Sequence, residues 1–110
     1  MAGLIQRGDI RWYSFAAPDK KRPVLILTRS SIIEFLNEVT LAPITRTIRD
    51  IPTEVKLDTS DGMPENCAIN LDHLQTVSKK KIGPIITTLS KSKWTEVKKA
   101  VLFAYGFSGE

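Results

Sequence analysis

At Ser90 the hydrophobic period of the chain changes, and that switch constrains the fold more than any other feature. Before it, apolar residues fall in short runs or alternate with polar ones between turn residues, the pattern of strands. After it, Trp94, Val97, Val101 and Ala104 recur at helical spacing, and Ala100, Phe103 and Phe107 widen the stripe. Ser90 can cap a helix running from about Lys91 to Phe107. The stripe is expected to serve as core or subunit contact. Five or six short strands followed by one C-terminal helix imply a mainly β protein built on a strongly bent sheet or small barrel.

Within the strand region, RGDIRWYSF (7–15) places Ile10, Trp12 and Ser14 on one face and Arg11, Tyr13 and Phe15 on the other. AAPDKKRP (16–23) is a polar loop whose cationic tip has a proline at each end. VLILT (24–28) is a continuous apolar run too short for a helix, and so predicts a strand buried on both sides. RSSIIEFLN (29–37) reads as a short helical turn, and EVTLAPITR (38–46) as a strand with Pro43 at an edge or bulge position. In PTEVKLDTSDGMPEN (52–66), Val55 and Leu57 alternate with Glu54, Lys56 and Asp58 before a long turn. CAINLDHLQTV (67–77) is expected to form one strand, and IITTL (85–89) the last.

A length of 110 residues suits a single domain over 1–110. The net charge of +4 favours an anionic partner such as nucleic acid. Cys67 is the one cysteine, so no intrachain disulfide forms; with His73 the one histidine, a common zinc set would need carboxylates. No metal or other cofactor is expected. The N-terminal MAGLIQRGDI lacks the apolar run of a signal peptide, and no segment is apolar for long enough to span a bilayer. A cytoplasmic location without membrane contact is the expectation. Walker loop, dinucleotide fingerprint, nucleophile elbow and HExxH are all missing. A single histidine also excludes a two-histidine ribonuclease mechanism.

Three segments hold the chemistry that remains. In KKRP, Arg22 offers five donors in a planar fork suited to phosphate. In PITR, Thr45 ends a strand and could hydrogen-bond a phosphate oxygen. In NLDHLQ, read as a strand, Asn70 and Asp72 share one face while Ile69, Leu71 and His73 share the other. That parity separates Asp72 from His73 and argues against a hydrogen-bonded relay. His73 is thus poorly placed to move protons with Asp72.

In order and spacing, RGDIRWYSF, KKRPVLILTR, NEVTLAPITRTIRDIPTEVKL and DGMPENCAINLDHLQTVSKKKIG resemble the MazF/PemK family of toxin endoribonucleases. The likeness runs from about Arg7 to the C-terminal helix. It implies a small SH3-like β-barrel of the CcdB/MazF type with a C-terminal helix, and a homodimer. It implies sequence-specific, metal-independent cleavage of single-stranded RNA, and a cognate antitoxin whose flexible acidic tail blocks the RNA groove. The family's catalytic arginine before the proline of the second strand matches Arg22. Its phosphate-contacting hydroxyl at the end of PIT matches Thr45, and a carboxylate on the later strand matches Asp72, as general base or as an orienting group. Lys20, Lys21, Arg46, Asn70, His73 and Gln75 are the RNA-contacting candidates. Many relatives carry glutamine at the position of His73 and arginine at that of Gln75, and many have a longer, Gly-rich first loop.

Two other readings share this fold: a CcdB-like gyrase inhibitor that binds protein, and an SH3-like module that binds RNA without cutting it. The YGFSGE ending departs from the Trp-Gly-Ile type of CcdB.

Overall fold

The computed structural model describes residues 4–16 and 20–108. Residues 17–19 of the cationic loop and the last two of YGFSGE lie outside the described residues. The elements are β1 (Asp9–Phe15), β2 (Lys20–Ile26), α1 (Ser30–Ile33), β3 (Glu38–Thr45), β4 (Glu54–Leu57), β5 (Cys67–Asn70), β6 (Gln75–Ser78), β7 (Ile85–Thr88) and α2 (Lys91–Ala104). Short 3-10 turns occupy Thr59–Asp61 and Lys79–Lys81. The strands form one curled half-barrel in the order β4-β5-β3-β2-β1-β7, with β6 also paired to β3. No helix among the described residues is long and apolar enough to cross a membrane.

The second strand begins earlier than expected: Lys20–Pro23, read as loop, belong to β2, which ends at Ile26 and leaves Leu27 and Thr28 beyond it and only half-buried. Val24, Leu25 and Ile26 are wholly buried, Leu25 in one cluster and Val24 with Ile26 in the other. The first cluster joins Ile10, Ala42, Ile44, Val55, Leu57 and Ile69 to Val97 and Ala100 of α2. The second, on the opposite face, gathers Val39, Leu41 and Ile82 around Ile33 of α1. Burying a side chain of this size contributes about 1.5–3 kcal/mol, so strand alternation is tied to stability at nearly every position.

β3 is the hub of the sheet. It pairs with β2 through Leu41–Pro43, with β6 through Glu38–Leu41, and with β5 through Ile44 and Thr45. Pro43 sits at the change from β6 to β5. Leu27 N–H bonds Thr40 C=O, so even-numbered residues of β3 turn their backbone groups toward β2. Pro43 therefore faces the gap between β6 and β5, where no partner misses its N–H.

CAINLDHLQTV is not one strand. Asn70 Oδ1 accepts the Asp72 N–H at 2.9 Å, and Asp72 Oδ2 accepts from Thr53 Oγ1 at 2.6 Å. These side chains satisfy the backbone locally and end the ladder. A turn over 71–74 divides β5 from β6, and the strand parity assigned to Asp72 and His73 does not hold.

α2 also stops short of Phe107. Ser90 stands at the N-cap, but its hydroxyl meets Ser92 Oγ instead of a helix N–H. At the other end Gly106 adopts φ 76°, and Phe107 N–H bonds Leu102 C=O at 2.7 Å, closing the helix. Phe103 and Phe107 are exposed at 41% and 77%, so the predicted stripe is only half core.

Two further contacts fix the frame. Arg11 is buried on β1: Nε meets Asp9 Oδ2 at 2.9 Å, Nη1 the Gly83 carbonyl at 3.1 Å and Nη2 the Leu4 carbonyl at 3.1 Å. Gly62 has φ 91°, and a Cβ there would stand 2.4 Å from Thr87 Oγ1. Gly62→Ala is thus expected to lower stability by roughly 1–3 kcal/mol. Thermal unfolding should show part of the loss restored by adding Thr87→Ala, which removes the Oγ1 and Cγ2 contacts but leaves the 2.9 Å approach to Cβ and the backbone strain.

Candidate active site

Strand register brings the predicted phosphate ligands together. Val24, Leu25 and Ile26 pair with Pro43, Ala42 and Leu41. The same register carried two residues further sets Arg22 across from Thr45. Tyr13 pairs with Arg22 on the other side, and Phe15 with Lys20. Gln75 pairs with Leu41, two residues before Pro43 and four before Thr45. Period-2 alternation then aligns Phe15, Lys20, Arg22, Pro43, Thr45 and Gln75 on one face of the sheet.

That face forms a cleft of about 580 Å³ lined by these residues together with Arg49, Asn70 and His73. A second cleft of about 390 Å³ opens round the end of the same strands. Lys20, Arg22 and Thr45 line it too, with Trp12, Lys21, Arg46, Met63, Glu65 and Cys67. Residues of opposite strand parity, such as Trp12, Lys21 and Arg46, supply this second wall. Arg22 and Thr45 therefore stand on a rim with a cleft on either side.

The polar groups at the rim are set up to donate. Arg22 is half-buried, and Thr45 Oγ1 accepts the Thr47 N–H at 3.1 Å. With one lone pair used in this way, the Thr45 hydroxyl hydrogen is available to an outside acceptor. Lys21 Nζ lies 5.4 Å from the Trp12 ring centroid. Arg46 Nη1 and Glu65 Oε2 are 3.6 Å apart, both well exposed. Burial, then the Glu65, Asp61 and Asp58 carboxylates, push the Cys67 thiol up to about 11. Cys67 thus stays protonated near neutral pH and is no nucleophile.

Asp72 is the candidate that the structure leaves out of both clefts. Its carboxylate is turned onto Thr53, and Thr53 C=O accepts the Leu71 N–H at 2.9 Å, so the pair pins the 71–74 turn. His73 lies on the cleft side, with Nδ1 at 2.8 Å from Asn70 Nδ2. The turn separates the two residues, not a pleat.

Residues 6–104 match the family of PemK-like, MazF-like toxins of type II toxin–antitoxin systems. The chain belongs to this family. It is 39% identical over 83 residues to Endoribonuclease MazF3 of Mycobacterium tuberculosis, a span of 76% of this chain and 81% of that protein. It is similar to the Mycobacterium tuberculosis toxin MazF-mt6, with TM-score 0.84 and 33% identity over 92% of this chain and 99% of that one. A mycobacterial endoribonuclease solved with its cognate antitoxin shares the fold, with TM-score 0.84 at 22% identity over 96% of this chain and 99% of the other. The MazF assignment separates the chain from the CcdB inhibitors.

Two residues of this MazF-type site escape a reading by segments. Arg49 reaches the larger cleft from the loop after β3, where Glu54 Oε1 accepts the N–H groups of Arg49 and Asp50 at 2.9 and 3.1 Å. Asp50 takes φ 59° there, and its carboxylate meets Lys56 Nζ at 2.6 Å. Cation spacing in RTIRD was the available hint. Trp12 shares its face of β1 with Ile10 and Ser14, which gave no functional hint, and it lines the smaller cleft.

Proposed function

We propose that this MazF-type endoribonuclease cuts single-stranded RNA at a short recognition sequence lying across the two clefts, without a metal ion, as the toxin of a toxin–antitoxin pair. The observation that carries the reading is that Arg22 and Thr45 both line each of the two clefts. The ribose 2′-OH attacks the adjacent phosphorus and expels the 5′-oxygen. The products are a 2′,3′-cyclic phosphate, or the 3′-phosphate from its hydrolysis, and a 5′-OH.

Negative charge gathers on the non-bridging oxygens as the bond forms. Arg22 meets it with two charge-assisted hydrogen bonds, and the Thr45 hydroxyl donates a third. Nucleotides on the two sides of the scissile phosphate then rest on opposite faces of the sheet. Trp12, Lys21, Arg46 and Glu65 meet one side; Lys20, Asn70, His73, Gln75 and Arg49 meet the other. Asp72 acts through the turn it pins with Thr53, as a positioning residue.

Exposed Phe35, Phe103 and Phe107 support a homodimer, since apolar surface of this kind marks an interface. The cationic clefts suit the acidic tail of an antitoxin in the cytoplasm, and a structural relative was solved with its cognate antitoxin. A fluorogenic DNA oligonucleotide with one ribonucleotide at the scissile position tests the chemistry. It should be cut in the presence of EDTA, and its all-deoxy counterpart should be inert; cleavage of the latter rules out transesterification.

A further inference from the structure

The turn over 71–74 carries information about a proton. The Asp72 N–H can only donate, so the Asn70 side-chain atom 2.9 Å from it must be the amide oxygen. The other end of that amide is then the NH2 group, which can only donate as well. It lies 2.8 Å from His73 Nδ1. Nδ1 must therefore offer its lone pair, and a neutral imidazole carries its single hydrogen on the other nitrogen.

We infer that Asn70 fixes His73 in the tautomer protonated at Nε2, making it a hydrogen-bond donor to RNA in the larger cleft and not a proton shuttle. Nδ1 is occupied by Asn70, and among the described residues Nε2 has no protein hydrogen-bond partner. His73 is exposed and lines the cleft together with Arg22 and Thr45. A group that takes up a proton during turnover would do so at Nδ1, and that requires the Asn70 contact to break first. A fixed N–H, in contrast, needs no rearrangement to meet a phosphate or base oxygen. Arg22 of β2, Arg49 of the β3–β4 loop and Gln75 of β6 line the same cleft. Asn70 is a positioning residue here; the RNA contact belongs to His73 and rests on the cleavage site proposed above.

Because the chain has a single histidine, its nitrogen-15 resonances are unambiguous. In the RNA-free protein labelled at histidine, above the titration of the ring, the proton should reside on Nε2. In Asn70→Asp the carboxylate accepts from Nδ1–H, and the tautomer should reverse. A wild-type spectrum with the proton on Nδ1, or an equal mixture of tautomers, overturns the assignment whether or not the protein cuts RNA. The donor role is read by cleavage: His73→Gln, which keeps an N–H donor, should retain clearly more activity than His73→Ala. His73→Ala should lose roughly ten- to a hundredfold, the worth of one hydrogen bond to a charged acceptor. Equal losses in the two variants overturn the donor role, and a wild-type protein that does not cut fails the cleavage reading while the tautomer result stands.

Discussion

Arg22→Ala is expected to slow cleavage by on the order of 10³-fold, and Thr45→Ala by on the order of 10²-fold, with folding intact. Donors aimed at developing phosphoryl charge are worth this much because they stabilise the transition state more than the bound substrate. Arg22 supplies a charge and a two-pronged fork, Thr45 a single neutral hydroxyl, hence the ranking. Both side chains are part-exposed at strand ends, so their loss opens no core cavity. Arg22→Lys keeps the charge without the fork and should recover only part of the rate. Single-turnover cleavage of the mixed RNA/DNA oligonucleotide provides the measurement. Wild-type rates in both alanine variants would place the site elsewhere.

The largest stability effect should come from Arg11, far from the chemistry. Its guanidinium bonds Asp9, Gly83 and Leu4, and Asp9 Oδ2 also accepts the Gln6 N–H at 3.1 Å. Both side chains are under a tenth exposed. Removing one partner leaves the other charged group buried and uncompensated, so Arg11→Ala or Asp9→Ala should each cost roughly 3–5 kcal/mol. Changing both, as Asp9→Leu with Arg11→Met, should cost less than either single change, because no buried charge remains. Urea unfolding gives the values: the midpoint should fall with little change in slope. An additive double variant would mean that the ion pair is not the source of the cost.

What could be read in advance followed the range of the interactions involved. Val24–Ile26 and the Val55/Leu57 alternation are local patterns, and the burial on the two faces agrees with them. Family resemblance brought Arg22 and Thr45 forward, and the register across β2 and β3 puts them side by side. CAINLDHLQTV misled because period-2 alternation continues through a turn as readily as through a strand. What breaks the ladder is a contact with Thr53, nineteen residues away in sequence. Asp72 accordingly left the cleft and His73 entered it. Arg49 was hard to place for the same reason: its loop is set by Glu54 Oε1 and by Asp50 in the left-handed region, neither of which changes the hydrophobic pattern.

The rim has a consequence for how such a toxin can change its target. Arg22 and Thr45 are held by backbone pairing with Tyr13 and Ala68, where a slip of one residue would send either to the opposite face. Part of the flanking walls comes from connections: Arg49 from the segment after β3, Glu65 from the long turn before β5, His73 from the turn before β6. Connections accept substitution and insertion far more readily than paired strands. On the cleavage reading proposed above, part of the surface that reads the RNA can thus drift through loops while Arg22 and Thr45 stay on their strands.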